Sequence, residues 1–340
     1  MGAARAGRGW LAVARIGRGG LWIGAGALAC AGFLALTSSG AQAREPGPVA
    51  GWLADRDGDA LVGLDADRLE VRRIAVDAPV ELALGAAGDL WVACAGPLGP
   101  VGAHRLLLIE DESGAIAREF SLGPVLDLEA VEGGQGSVLA VELASGGERA
   151  VVRIGADGAL ATLERSVDAF CAAGAWGCTL VGSERGELRL FGPDGQRLLR
   201  RSLGGVISDV APGPEPGCWW VLDAAGGAGG TRLALLGRDL SSRWEAAAGV
   251  AALTLAPQRG AERVWLCDGE GALARRFGPG GAVELAHIGL AHSGASRASC
   301  GSDGVAWIAA PGALLCLDGS GARWPGQGGY GFLVDVERVR

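Results

Sequence analysis

The sequence contains no lysine and no asparagine, and it has only three histidines, one methionine and one tyrosine. Without lysine, the chain can form neither a Schiff base with a substrate nor the lysine-containing phosphate loop of P-loop nucleotidases. Without asparagine, it carries no acceptor for N-linked glycosylation. All 30 basic residues are therefore arginine, which we attribute to a GC-rich coding sequence rather than to a function.

Positive charge is also scarce relative to negative charge. The 30 basic residues face 38 acidic ones, and four of the arginines lie within the first 20 residues, which contain no acid. The rest of the chain is therefore more acidic than the whole. Because phosphate neutralisation requires clustered positive charge, this composition argues against a nucleic-acid partner.

The first 43 residues follow the order of a secretory signal peptide. A basic segment occupies residues 1–20, an apolar run extends over 21–36, and Ala41-Gln42-Ala43 provides small residues for cleavage. We expect cleavage after Ala43 and an extracytoplasmic location, either periplasmic or secreted. Since the apolar run is only slightly shorter than the ~20 residues of a spanning helix, an uncleaved membrane anchor is the alternative. Membrane contact would then be made through this N-terminal segment only.

The rest of the chain repeats. A strand that opens with a large apolar residue recurs at intervals of 39 to 47 residues. Its seven copies begin at Trp52, Trp91, Val138, Cys178, Trp220, Trp265 and Trp307. A second marker, an apolar strand ending in a turn such as Gly192-Pro193-Asp194-Gly195, keeps the same phase. Two markers in constant phase indicate a repeat protein.

Each repeat holds four short strands rich in Val, Leu, Ile and Trp, and about 40–45 residues with four strands are typical of a β-propeller blade. We therefore predict an all-β fold in which residues 44–340 form a single seven-bladed β-propeller. The first repeat begins at Gly51-Trp52 without an innermost strand, and a matching segment, Phe332 to Glu337, stands at the C-terminus. We expect this C-terminal strand to complete the first blade and so close the ring.

The repeats resemble those of a known group of propellers. Gly88-Asp89-Leu90-Trp91-Val92-Ala93, followed by the apolar strand Arg105 to Ile109, is the closest local match. The pattern is similar to NHL-type repeats and to the streptogramin-lyase-like and gluconolactonase-like propellers, loosely over residues 48–340. That resemblance implies a propeller that many functions share. The metal sites of the gluconolactonase-like enzymes include asparagine, which this chain lacks, and none of His104, His287 and His292 matches the His-centred site of the lyases.

The predicted innermost strands place acidic residues at corresponding positions. These are Glu81, Asp127, Asp168, Asp209 and, in the closing strand, Asp335; Ala252 and Arg297 hold this position in the sixth and seventh repeats. A ring of carboxylates at one mouth of the channel would suit Ca²⁺, another divalent cation or a cationic ligand. Alternatively, each acid accepts hydrogen bonds from backbone N–H groups where blades meet. The sequence establishes no cofactor.

Tryptophan and cysteine provide further candidates. The repeated tryptophans are expected to pack between blades, whereas four others fall outside that register and are better candidates for a binding surface. These four are Trp176, Trp219, Trp244 and Trp324. Seven cysteines follow residue 43, an odd number, and Cys171 and Cys178 lie on consecutive strands where a hairpin disulfide is predicted. Cys300 and Cys316 are a second, weaker pair.

The favoured interpretation is an exported binding or interaction module whose ligand is a protein, a glycan or a small molecule. The alternative is a metal-dependent hydrolase or lyase that uses the carboxylate ring at the channel mouth. The sequence assigns no catalytic residue, since it contains no serine nucleophile elbow, dinucleotide fingerprint or calcium-binding loop. His287 and His292 form an H-x₄-H pattern, which would need a helix to bring both rings onto one metal, but they lie in a predicted strand and loop.

Overall fold

The computed structural model describes residues 47–338 apart from 86–87, 111, 134–135, 225–229, 250–251, 269–272, 290–296, 321–322 and 325–327. In this part of the chain the regular structure consists of 27 β-strands and two single-turn 3₁₀ helices, Ser145–Gly147 and Pro279–Gly281. The predicted signal segment, residues 1–43, lies outside the described residues. No helix among the described residues has the length and apolar character needed to cross a membrane.

The strands form seven blades in a ring, which confirms the predicted all-β propeller. Blade 1 contains β1 (Gly51–Asp55), β2 (Ala60–Leu64), β3 (Glu70–Ala75) and the C-terminal strand, whose bounds are given below. Blade 2 contains β4 (Pro79–Leu84), β5 (Leu90–Gly96), β6 (Gly99–Ile109) and β7 (Ile116–Leu122). Blade 3 contains β8 (Val125–Ala130), β9 (Val138–Leu143), β10 (Arg149–Ile154) and β11 (Leu160–Ser166). Blade 4 contains β12 (Ala169–Ala175), β13 (Cys178–Ser183), β14 (Glu187–Phe191) and β15 (Arg197–Ser202).

The remaining blades follow the same order. Blade 5 contains β16 (Val206–Pro212), β17 (Trp219–Ala224), β18 (Thr231–Leu236) and β19 (Ser242–Ala247). Blade 6 contains β20 (Ala252–Pro257), β21 (Val264–Asp268), β22 (Leu273–Phe277) and β23 (Val283–Gly289). Blade 7 contains β24 (Arg297–Cys300), β25 (Ala306–Leu317) and β26 (Arg323–Trp324), and the chain ends in β27 (Gly328–Arg338). The first strand of each of blades 2 to 7 is its innermost strand.

The C-terminal strand closes the ring, as predicted. The second half of β27 pairs antiparallel with β1, with Glu337 opposite Trp52 and Asp335 opposite Ala54. The strand is longer than the predicted segment 332–337, because its first half pairs with β25 of blade 7, where Phe332 lies opposite Pro311. One strand therefore joins the last blade to the first.

The core lies between blades. Seven clusters of buried apolar side chains are found among the described residues, one for each pair of neighbouring blades. Strand β1 is buried along its whole length, whereas the outermost strands β7 and β15 are mostly exposed. Because a blade is covered on both faces near the channel, its inner strands can be apolar throughout instead of alternating.

The repeated tryptophans pack in these interfaces. Each is at most 2% exposed, which confirms their predicted role: Trp52, Trp91, Trp220, Trp265 and Trp307. Two indole N–H groups also reach the next blade, since Trp91 donates to the Gly136 carbonyl at 3.2 Å and Trp265 donates to the Gly304 carbonyl at 3.3 Å. The interfaces between blades are therefore stabilised by buried apolar surface and, in two places, by a hydrogen bond from an indole N–H group.

Candidate functional site

The strand register defines one equivalent position in all seven inner strands. In each blade this residue pairs with the residue two positions after the marker tryptophan, or after its equivalents Leu139 in blade 3 and Leu180 in blade 4, and in six blades it directly follows a β-bulge. We call the seven residues at this position the channel ring. They are Asp335, Glu81, Asp127, Cys171, Asp209, Thr254 and Arg297, from blade 1 to blade 7.

Three aspartates of the channel ring connect neighbouring blades. Asp335 accepts the backbone N–H of Leu82 at 2.7 Å, and Asp127 accepts that of Ala172 at 2.9 Å. Asp209 accepts the N–H of Leu255 at 2.7 Å. In each case the donor is the residue that follows the channel-ring position of the next blade. This is the blade-junction geometry considered above as the alternative to a ligand site.

Arg297 spans the channel. Its guanidinium donates to Glu81 at 3.0 Å and to Asp127 at 2.8 Å. Since blade 7 and blade 3 lie on opposite sides of a seven-membered ring, this side chain crosses the axis and obstructs the channel. Burial opposes the charge of Arg297, but the carboxyl groups of the channel ring outweigh burial and raise its pKa well above the ordinary value. Arg297 is therefore a fixed positive charge that compensates several acids.

The acids around Arg297 are difficult to ionise together. Burial raises the pKa of Glu81 to about 8, with Arg297 acting in the opposite direction and Asp335 and Asp127 adding to the increase. Burial likewise raises the pKa values of Asp209 and Asp335 to about 7, again against the effect of Arg297. One guanidinium cannot neutralise four carboxylates, so near pH 7 part of the channel ring is protonated.

Asp168, predicted to share this position, lies elsewhere. It precedes β12, and its carboxylate is 3.1 Å from Arg189 and 3.7 Å from Arg185, both in its own blade. Cys171 takes the channel-ring position of blade 4, and its thiol contacts the Ile207 carbonyl at 3.6 Å.

The error arose because the number of residues between the inner strand and the marker strand varies from blade to blade. In blades 3 and 4 the residues equivalent to the marker tryptophans are Leu139 and Leu180, not Val138 and Cys178. In blade 6 the position is held by Thr254 rather than Ala252, and Thr254 stands as far before Trp265 as Asp209 stands before Trp220.

The arrangement of carboxylate oxygens in the channel ring tests the prediction that the ring binds a divalent cation. Among the residues that the structure describes, no group of three His, Cys, Asp or Glu side chains is placed to hold a metal ion. The four acids of the channel ring are already engaged by Arg297 or by backbone N–H groups. Ca²⁺ requires six to eight convergent oxygen ligands, and these residues do not fit that requirement.

Two residues further along each inner strand, a second ring faces the same side. We call it the mouth ring, because it lies towards the end at which the inner strands finish. Its members are Glu337, Ala83, Glu129, Ala173, Ala211, Ala256 and Ser299, each paired with the first residue of its marker strand. Five of them are alanine or serine, so the channel widens here, and the two large members are both glutamates.

Above this ring the propeller has a pocket of about 540 Å³, which we call the mouth pocket. Six of the seven blades contribute to its wall, and Glu129, Glu337 and Asp209 line its depth. A void of about 20 Å³ continues inward to Arg297 and Thr254. The mouth pocket is therefore open to solvent at one end and closed by the Arg297 side chain at the other.

Glu129 is a strongly perturbed acid of the mouth pocket. Burial raises its pKa well above the ordinary value, and the nearby carboxyl groups of Asp127 and Glu337 raise it further. Glu337, by contrast, has a polar neighbour in Ser299, whose hydroxyl lies 3.4 Å from it. A strongly perturbed group in a pocket is a candidate functional residue.

The sequence analysis missed Glu129 and Glu337. A signal was present, because Asp127-Leu128-Glu129 and Asp335-Val336-Glu337 are the same acid-apolar-acid pattern in two inner strands. In a strand, residues two apart share a face. This pattern could have indicated a second tier of acids above the first.

The four tryptophans outside the repeat register differ in exposure. Trp176 is 36% exposed and lines the mouth pocket. Trp219 is buried, so the prediction that it is a surface residue was wrong, and Trp244 is half-buried and donates to Glu262 at 2.7 Å. The side chain of Trp324 lies outside the described residues. Of the three whose side chains are described, only Trp176 lines the mouth pocket and is placed to contact a ligand there.

The predicted disulfides are not formed. All seven described cysteines are free thiols, and Cys171 lies opposite Gly182 whereas Cys178 lies opposite Ala175, four positions away in the register. Cys300 and Cys316 are likewise both free. His104 is buried and its Nδ1 accepts the Val125 N–H at 3.0 Å, while the side chains of His287 and His292 lie outside the described residues.

No protein-family model and no curated protein matches the sequence. Among solved structures, the fold is similar to apo AztD from Citrobacter koseri, with a TM-score of 0.56 and 13% identity over 85% of this chain and 97% of that one. It is also similar to the β-propeller domain of Cps50 (Swd1) from Myceliophteria thermophila, with a TM-score of 0.57 and 12% identity over 82% and 95% of the two chains. At these identities the likeness supports the β-propeller fold alone.

Proposed function

We propose that this protein is an exported binding module and that its ligand site is the mouth pocket. The single observation that carries the proposal is a concave site with a closed floor: about 540 Å³ of space above the Arg297 side chain. Small-molecule sites typically measure about 300–1,000 Å³ and combine apolar walls with a few polar groups. A cavity of this size admits a small molecule, a sugar residue or one protruding side chain of a protein, but no folded domain.

The walls support a binding role. Pro212 and Pro257 end strands β16 and β20 at the opening, and Pro214 and Pro216 lie in the loop that follows β16; they stiffen the wall because proline fixes its backbone φ angle. Trp176 adds an aromatic surface at the rim. A pocket that is formed before its ligand arrives loses little conformational entropy on binding.

Export is supported by the order of basic, apolar and small residues over 1–43, with the uncleaved anchor as its alternative. Relationship to the NHL-type, streptogramin-lyase-like and gluconolactonase-like propellers is proposed from the repeat pattern. The register supports this, since each marker strand pairs with an inner strand at the same offset in all seven blades.

A fragment soak tests the site. Crystals exposed to a library of small neutral, cationic and anionic fragments should show bound molecules concentrated in the mouth pocket. Trp176→Ala should lose more of these fragments than Phe170→Ala. Phe170 is a matched control because it lies at the other end of β12, the strand that Trp176 directly follows, and is also 36% exposed. Fragments spread evenly over the surface, or equal losses in both variants, would overturn the assignment.

A further inference from the structure

The charges that line the mouth pocket are not balanced. Its two rim arginines are each within ion-pairing range of an acid: Arg259 is 3.6 Å from Glu132, and Arg338 is 2.9 Å from Asp303. Arg297 is held below by Glu81 and Asp127. The carboxyl group of Glu129 has no hydrogen bond or ion pair with any residue in the described part of the chain. The depth of the pocket thus has an excess of acid.

The side chain of Thr254 lies below the mouth pocket with its hydroxyl group unbonded to any described residue. Its side chain is 4% exposed and lines the inward end of the cavity beside Asp209 and Arg297. Its hydroxyl makes no hydrogen bond with a described residue. Buried hydroxyl groups in folded proteins nearly always have a partner. The inward void below the mouth pocket therefore holds a hydroxyl group that can take a partner from outside the chain.

The rim presents an aromatic ring in a fixed orientation. Trp176 and Gly177 form the turn between β12 and β13, with φ values of +52° and +76°. Positive φ disfavours a bulky residue, and a non-glycine residue held there is strained. Trp219, buried behind it, supports the ring edge-on at 5.7 Å between centroids. The strained turn holds Trp176 at the wall of the mouth pocket.

Resting on the proposed function, we propose that the mouth pocket binds an organic cation: an ammonium or guanidinium group attached to an apolar or aromatic body. The cationic group would lie against Glu129 and Glu337, with Thr254 available as a further oxygen ligand. The body would lie against Trp176, whose ring face attracts cations and packs against flat apolar groups.

The same arrangement disfavours other ligands. An anion would be placed beside the carboxyl group of Glu129, and the rim arginines that could attract it are paired with acids. A bare metal ion would need several convergent oxygens, which the described residues do not provide. An organic cation needs only one or two carboxylates together with an apolar surface.

Binding of such a cation is coupled to a proton. Glu129 is faced by Asp127 on its own strand, by Glu337 and Asp209 on the inner strands of blades 1 and 5, and by Arg297 across the channel. Burial and these acids raise its pKa, so it must lose a proton before it pairs with a cation. Affinity should therefore rise with pH from 5 to 8, and binding at the lower pH should release a proton.

A charge series on one scaffold tests the inference. The probes are benzylammonium, benzyl alcohol and benzoate, which share an aromatic ring and differ in charge. Calorimetry on the full mature protein should give benzylammonium at least about tenfold higher affinity than benzyl alcohol, with benzoate weakest. Glu129→Gln should remove about tenfold of the benzylammonium affinity. Glu119→Gln, on an outer strand, is the charge-matched control and should leave that affinity unchanged.

The outcomes separate the two proposals. If benzyl alcohol occupies the mouth pocket as tightly as benzylammonium, the cation inference fails while the pocket remains a ligand site. If fragments of every charge avoid the pocket, both proposals fail. If the Glu129→Gln protein does not fold, the inference is tested by the pH dependence of benzylammonium affinity in the wild-type protein. An affinity for benzylammonium that stays flat between pH 5 and 8, without proton release, overturns the inference.

Discussion

At the scale of single residues, Arg297 sets the electrostatics of the channel. It is the only basic residue of the channel ring and lies among four acids. Glu81, Asp209 and Asp335 hold their protons to about pH 7 or 8, several units above the values of unfolded chains. The folded state thus binds more protons than the unfolded state between about pH 4 and 8, and the free energy of unfolding falls as pH rises through that window.

The loss of stability caused by Arg297→Met should depend strongly on pH. At pH 8 the variant leaves Glu81 and Asp127 buried without their cation, and we expect a loss of about 3 kcal/mol in the free energy of unfolding. At pH 5 the loss should be roughly 1 kcal/mol, because protonated carboxyl groups need no counter-charge. Denaturant unfolding at the two pH values measures both quantities. Arg185→Met is the control, since Arg185 is largely exposed beside Asp168. An equal loss at both pH values would contradict this account.

At the scale of elements, the inner strand is the unit that carries both structure and site. A bulge directs one residue into the channel ring, and strand alternation places the residue two positions later in the mouth ring. In β27 these two residues are Asp335 and Glu337. The strand that closes the propeller therefore also supplies one wall of the mouth pocket.

Deletion of residues 328–340 tests this dual role. The truncated chain loses the buried side chains of Leu333 and Val336 and the hydrogen bond that the Leu82 N–H donates to Asp335. It also loses β27, so that β1 keeps only β2 as a paired strand. An unpaired edge promotes aggregation, so we expect no soluble monomer with a cooperative melting transition, by size-exclusion chromatography and circular dichroism. Deletion of residues 339–340 alone should have no effect. A truncated monomer with an unchanged melting temperature would show that closure does not stabilise the ring.

At the scale of the whole molecule, the protein is an acidic propeller whose thiols are largely enclosed. Six of its seven described cysteines are buried, and Cys178 is half-buried. Burial raises the pKa values of Cys94, Cys267 and Cys300 to about 12. Buried thiols that remain protonated react slowly. Free cysteines that are buried in this way are therefore compatible with an oxidising compartment.

The proposed export has a direct test. Expression in a bacterial host with a secretion pathway should yield a protein whose intact mass and N-terminal sequence begin at Arg44, recovered from the periplasm or the medium. A chain with substitutions at Ala41 and Ala43 should remain uncleaved. Full-length protein in the membrane fraction would instead identify the segment as an anchor, and full-length protein in the cytosol would refute export.

The sequence alone determined the architecture. Apolar strands with a constant spacing can bury their faces only by stacking, so the repeats led to seven blades and the C-terminal segment to ring closure. Four of the acids that it singled out by their phase, Glu81, Asp127, Asp209 and Asp335, share the channel-ring position in the strand register.

Only the tertiary structure decided the chemistry of the channel. Loops of unequal length shifted the register in blade 4, so Cys171 and not Asp168 reached the ring. Arg297 meets Glu81 and Asp127 after more than 150 intervening residues, and no local pattern encodes which side chain crosses a closed ring. Repeat spacing is a property of neighbouring residues, whereas burial, pairing and the resulting pKa values arise only when distant blades converge on one axis.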